Sequence, residues 1–169
     1  CKILSRNYIS GRKLKTEGFI LDQILKKYFV GLPSIMINKK YFTGFDENYE
    51  IIGDMDFVLK TAAEFKLGYI NENLAYYRVH GFNMLFLNRA LQIKEWKIWI
   101  ENTKKNSLIS KFDSFHDLKY KVLYLEAMEH IANKRMKMAY DCLLKFPLSM
   151  WKLQLKIIIV TLSPNIIVK

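Results

Sequence analysis

The stretch GFDENYEIIGDMDFVLKTAAEFKLGYI, residues 44–70, holds most of the fold information in this 169-residue chain. A polar turn at Asp46, Glu47 and Asn48 precedes Met55, Val58, Leu59, Ala62 and Ala63, whose helical spacing buries one face of a helix. The residue types predict that this helix opens at its acidic pair, with Asp54 as N-cap and Asp56 in the first turn, and that Gly68 is its C-cap. Short strands are expected on either side. Downstream, Tyr69-Ile70 and residues 74–79 flank the turn Asn71-Glu72-Asn73. Upstream, Ile35-Met36-Ile37 follows a Gly and a Pro and suits a buried strand. The pattern is strand, helix, strand.

Working outward, residues 3–9 read as a strand closed by the turn Ser10-Gly11-Arg12-Lys13. Residues 17–28 read as a short amphipathic helix with Phe19, Ile20, Ile24, Leu25 and Tyr28 on its buried face and Lys26 and Lys27 at the C-terminal end of its dipole. Beyond Gly81 the character changes. Residues 84–100, 115–132 and 135–146 all show helical periodicity with no strand signal between them. A last segment, residues 148–162, lies between Pro147 and Pro164 and contains WKLQLKIIIVTL, an apolar run too short to span a bilayer but able to lie on one. The expected organisation is therefore an α/β part over residues 1–83 and a helical extension over residues 84–169.

Composition sets the outer bounds. A chain that is 51% hydrophobic with only 7 Gly and 3 Pro packs a core, which excludes disorder. Cys1 and Cys142 lie far apart and form neither a zinc spacing nor a disulfide framework, so a reducing, cytosolic compartment is expected. Cys1 stands where an initiator Met is expected, and no charged and apolar leader follows it, so the sequence reads as a fragment without a signal peptide. The formal charge of +11, from 27 Lys and Arg against 16 Asp and Glu, attracts anions: nucleic acid, acidic lipid headgroups or sugar diphosphates. Many of these lysines also fit a simple solvated surface.

Two constellations carry chemistry. At a helix N-terminus, Asp54 is held ionised by the dipole, which suits a base taking a proton from a sugar hydroxyl; ordinary capping accounts for the same residue type. Asp54-Met55-Asp56 also matches an Asp-x-Asp metal motif, but that motif belongs at the end of an apolar strand, whereas this pair opens a helix. The second constellation is Tyr76-Tyr77-Arg78-Val79-His80-Gly81-Phe82-Asn83. On a strand Arg78 and His80 share a face, and Gly81 allows a sharp turn that returns Asn83 toward them. Such a cluster suits a leaving diphosphate, with Arg78 as permanent charge and His80 as a hydrogen-bond partner or metal ligand. His116 and His130 lie in helical text and receive no role.

In their order along the chain these motifs resemble the acceptor-side half of family-2 glycosyltransferases, over residues 29–84. That family has Gly-Gly-Phe-Asp-Glu-like text, here Gly44-Phe45-Asp46-Glu47, then an acidic pair whose second acid is the base. Gly53 replaces the first acid here and Asp54 stands at the base position. A later Tyr-Arg-x-His-x-x-Asn run is matched by Tyr77, Arg78, His80 and Asn83. The resemblance implies a partial GT-A-like, Rossmann-like α/β sandwich lacking its N-terminal nucleotide-binding half, followed by the α-helical C-terminal extension.

By this resemblance the chain comes from an enzyme of polysaccharide biosynthesis at the cell envelope, inactive as a fragment. The enzyme transfers a sugar, with inversion, from a nucleotide-diphosphate donor to a hydroxyl of a glycan or lipid-linked glycan. Asp54 is the implied base, Arg78, His80 and Asn83 the donor-diphosphate side, and Pro33, Ser34 and Asp56 the acceptor side. A divalent metal, Mg or Mn, is implied, bound largely by the other half, with His80 as the candidate ligand here. The expected location is cytoplasmic and peripheral on the inner face of the membrane, with residues 148–169 in contact with lipid. Trp151, Lys152 and Lys156 beside residues 157–160 fit an interfacial helix, and a buried core helix explains the same run. The competing expectation is a basic, non-catalytic module that grips nucleic acid or a membrane surface. Nucleic acid is not the expected partner, because the aromatics follow helical periodicity and read as core.

Overall fold

The computed structural model describes residues 17–70, 72, 74, 75 and 88–162. Seven α-helices are found among them: α1 (Leu21–Lys26), α2 (Gly53–Glu64), α3 (Arg89–Thr103), α4 (Ser107–Ser110), α5 (Asp113–Ala132), α6 (Met136–Leu143) and α7 (Trp151–Leu162). Three 3-10 turns, Leu32–Ser34, Lys39–Tyr41 and Leu148–Met150, punctuate the connections.

The expected α/β sandwich does not form. The described part of the chain is 65% helical and contains no strand or sheet. Extended backbone pairs there at an isolated antiparallel bridge, where Gly18 N–H donates to Leu67 O at 2.7 Å and Leu67 N–H returns to Gly18 O at 3.0 Å. Residues 35–37 show why the strand reading fails. Ile35 and Ile37 pack against the core while Met36 is 91% exposed, so the alternation of a strand is present. The segment runs between two 3-10 turns without joining a ladder, and a strand is stable only when its backbone groups pair with a neighbour. Tyr69 and Ile70 likewise lie in irregular backbone. The strand expected at residues 3–9 and most of that at 74–79 lie outside the described residues.

Two cores organise the helices. The first joins Ile20, Ile24 and Leu25 from around α1, Ile52, Phe57 and Leu59 from around α2, Trp96, Trp99 and Ile100 of α3, and Phe115, Leu118 and Val122 of α5. The second joins Ala127 and Ile131 of α5 to Ala139, Cys142, Phe146 and Ile157. Its 20 residues make α5 about 30 Å long, long enough to serve both.

Specific polar bonds fix α1 on α5 at both ends. Ser114 donates its hydroxyl to Asp22 at 2.7 Å, and Lys121 donates to the free carbonyls of Leu25 and Lys26 at 2.8 and 2.6 Å. Those carbonyls end the α1 ladder, so the ammonium supplies both hydrogen bonds and the charge that the dipole favours there. The turn from α5 to α6 closes differently. Lys134 N–H donates to Ile131 O at 2.9 Å and Arg135 N–H to His130 O at 2.8 Å, the paired pattern of a Schellman motif. Lys134 takes the left-handed position, φ 58°, that glycine usually fills.

Candidate functional site

The N-terminal turn of α2 is built from outside the helix. Ile52 precedes the first helical residue, Gly53, and no side chain of its own segment caps the turn. The expected N-cap, Asp54, is instead the second residue of the helix. Capping comes from α3: the buried Glu95 carboxylate accepts the backbone N–H groups of Glu50, Ile51 and Ile52 at 2.8, 2.9 and 3.0 Å. A carboxylate at this end meets both the unpaired N–H groups and the positive end of the dipole. At the other end α2 stops at Glu64, before Gly68. Phe65 turns to extended backbone and donates its N–H to Thr61 O at 2.9 Å.

The two acids of this turn have opposite fates. Asp56 is 1% exposed, with both oxygens engaged. Trp99 Nε1–H donates to its Oδ1 at 2.7 Å and Lys60 Nζ meets its Oδ2 at 2.8 Å. Burial works against the Lys60 charge, but the bond and charge of Asp56, helped by Asp46, hold the ammonium above its ordinary pKa. Asp56 is thus an anchor between α2 and α3, joined to Lys60 one helical turn on. Asp54 is half-buried, and among the described residues it is bonded only locally: its Oδ1 accepts the adjacent Met55 N–H at 2.8 Å. Burial pushes its carboxyl above the usual carboxylate value, and the backbone N–H groups of Met55 and of Asp54 itself oppose the rise without cancelling it.

Tyr28 completes this corner. Its buried hydroxyl has no hydrogen-bond partner among the described residues, and burial together with the negative charge of Asp54 pushes the phenol upward. The phenol therefore senses the charge of the Asp54 carboxylate beside the start of α2. A small cavity of about 170 Å³ lies on the neighbouring face, lined by Thr43, Gly44, Phe45, Asp46, Asp56, Phe57 and Lys60. Gly44 sits at φ +90°, a conformation that L side chains rarely adopt, and it starts the turn that carries Phe45 and Asp46 into place. Phe42, Phe45 and Phe57 close the turn with ring centroids 5.3 to 5.6 Å apart. A larger cavity, about 450 Å³, is lined by residues of α3 and α5 with Lys145, and by none of the residues singled out from the sequence.

No family model, curated protein or solved structure matches the chain.

Among the candidates, Asp54 and Asp56 share a helical turn but do not converge, since Asp56 points into the core. Pro33 and Ser34 occupy the exposed 3-10 turn, where Ser34 donates its hydroxyl back to Gly31 O at 2.7 Å. Arg78, His80 and Asn83 lie outside the described residues. Among the described residues no group of three or more His, Cys, Asp or Glu side chains is placed to hold an ion. With Asp56 fully engaged, the Asp54–Asp56 pair does not fit a divalent metal, and no step is assigned to one. Glu95 and Trp99 are the residues that the sequence reading passed over. Their signal was present: an acid within the apolar stripe Ile93, Trp96, Trp99, Ile100 is out of place unless it has a buried partner.

Proposed function

We propose that the chain contributes the base-bearing side of an inverting glycosyl transfer from a nucleotide-diphosphate sugar to a hydroxyl of a glycan or lipid-linked glycan. The observation that carries this reading is the contrast within one helical turn: Asp56 is locked between Trp99 and Lys60, while Asp54 is half-buried, bonded only to its neighbouring N–H and raised in pKa. A carboxylate with a raised pKa is the stronger base, and one without an ion-pair partner is available to a proton donor. In the reaction Asp54 takes the proton of the acceptor hydroxyl as the oxygen bonds to the anomeric carbon. The bond from that carbon to the diphosphate breaks, and the diphosphate leaves with the electron pair. Arg78, His80 and Asn83, by the family resemblance, receive the leaving charge.

This reading goes with a cytoplasmic enzyme of polysaccharide biosynthesis, met by its lipid-linked acceptors on the inner face of the cell membrane. The burial of Trp96, Trp99 and Phe115 in the core supports this reading over a nucleic-acid module, since these three rings are not available for stacking on bases. The test is Asp54→Asn in the protein that carries this sequence, assayed by release of nucleotide from sugar donors with glycan acceptors. Turnover should fall by roughly 10² to 10⁴ while the KM for donor is unchanged. Undiminished turnover would remove Asp54 from the mechanism.

A further inference from the structure

The helix α7 carries two apolar faces, and the fold uses one. Leu153, Ile157 and Val160 turn inward onto the second core, and Ile157 is 1% exposed. Trp151, Leu155, Ile158, Ile159 and Leu162 remain open, at 40 to 78% exposure. At 3.6 residues per turn these five fall within a stripe about 100° wide on the side away from the core. Lys152 and Lys156 run along one edge of it, and the Lys152 ammonium stands 5.7 Å from the centroid of the Trp151 ring. A helix that only covered a soluble core would place polar residues on that face.

We infer that this outer face of α7 docks on an anionic lipid bilayer, with the helix lying in the plane of the headgroups. Charge selects the occupant. Over residues 133–162 six cations, Lys134, Arg135, Lys137, Lys145, Lys152 and Lys156, stand against one acid, Asp141. A second copy seated antiparallel on the stripe about a two-fold axis would bring the lysine edges of the two helices together. Acidic headgroups answer both features at once. The apolar side chains enter the acyl boundary, the lysine stems run along it with their ammonium groups at the phosphates, and the Trp151 ring sits at the interface. Length fixes the orientation. The 12 residues of α7 extend about 18 Å, short of a hydrocarbon core about 30 Å thick. No helix among the described residues is long and apolar enough to cross a membrane.

The experiment is flotation of the purified chain with vesicles of phosphatidylcholine alone or mixed with phosphatidylglycerol, paired with tryptophan emission. Trp96 and Trp99 are buried already, so a blue shift on vesicle addition reports Trp151. The expected result is binding to the anionic vesicles that weakens as salt rises. Leu155→Ser with Ile159→Ser should lower partitioning by at least about tenfold with helicity unchanged, because both side chains lose their apolar transfer. Lys152→Gln and Lys156→Gln should lower it roughly fivefold each. Equal binding to neutral and anionic vesicles, or undiminished binding of the serine variant, overturns the assignment. So does a wild-type chain that ignores vesicles, including one that self-associates through this face in sedimentation. None of these readouts depends on sugar transfer, so this inference and the assignment of Asp54 fail or stand separately.

Discussion

The carboxylate of Glu95 accepts the backbone N–H of Ile52 at 3.0 Å, so a residue 43 positions away in sequence caps the helix that carries the proposed base. The same group also holds Glu50 and Ile51. Glu95→Gln keeps the shape but offers one acceptor oxygen and turns an NH₂ group toward backbone donors. It should cost about 2–4 kcal/mol of stability, read as a lower urea midpoint with an unchanged m-value. A change under about 0.5 kcal/mol would mean that the cap contributes little.

The bond from Trp99 to Asp56 joins the same pair of helices one turn further on. Trp99→Phe removes the only indole donor to Asp56 Oδ1 and leaves a buried oxygen without that partner. The expected loss is about 1–3 kcal/mol from this group, with further loss from the smaller ring. Combined with Asp56→Ala, which removes the acceptor, the two effects should fall short of their sum, since each single change already breaks the shared bond. Simple additivity in the double-mutant cycle would show that the two residues are not coupled.

Asp54 leaves a signature in the pH dependence of folding. Its carboxyl is raised above its ordinary 3.8 chiefly by burial, so the folded chain binds that proton more tightly than the unfolded chain. The ionised form therefore opposes folding at neutral pH. That cost fades as pH falls through the folded pKa and is gone below 3.8, where both states are protonated. Asp54→Asn should accordingly be more stable than the wild type at pH 7 and equal to it at low pH. Asp22 and Asp46 act in the opposite direction. The bond from Lys26 and, for Asp46, the backbone N–H of Asn48 hold them below 3.8, so their contribution is present above that value and lost beneath it. Denaturant titrations at several pH values separate the two trends.

Lys134 stands in a left-handed conformation that closes α5. Lys134→Gly removes the strain between Cβ and backbone, and the side chain is exposed, so little packing is lost. The variant should gain up to about 1 kcal/mol, with a thermal midpoint a few degrees higher. A lower midpoint would show that chain entropy outweighs the strain.

The extent to which the sequence discloses this architecture varies along the chain. The helices beyond residue 88 are legible because Ile93, Trp96 and Ile100, and then Phe115, Leu118 and Val122, recur at three to four residues and meet one core. Residues 35–37 mislead because alternation shows which side chains face inward, and says nothing of whether another backbone lies alongside to bond. Asp54 reads as a cap because residue type at a helix start does not distinguish the cap from the first turn. The distinction rests with Glu95, whose partners are invisible to any local window. Asp56, expected on the acceptor side, is buried and accepts the Trp99 indole N–H for the same reason: a long-range donor decides which carboxylate stays free. Arg78, His80 and Asn83 remain expectations from the family resemblance, outside the described residues.

Because α5 belongs to both cores, it acts as a beam that cannot be cut without opening both ends of the building. Any division of the chain within residues 113–132 would bare Phe115, Leu118 and Val122 on one side and Ala127 and Ile131 on the other. Tolerated insertions belong instead in the exposed turns at Lys104 and Lys105 or Asn133 and Lys134, where chain can be added without unseating a buried side chain.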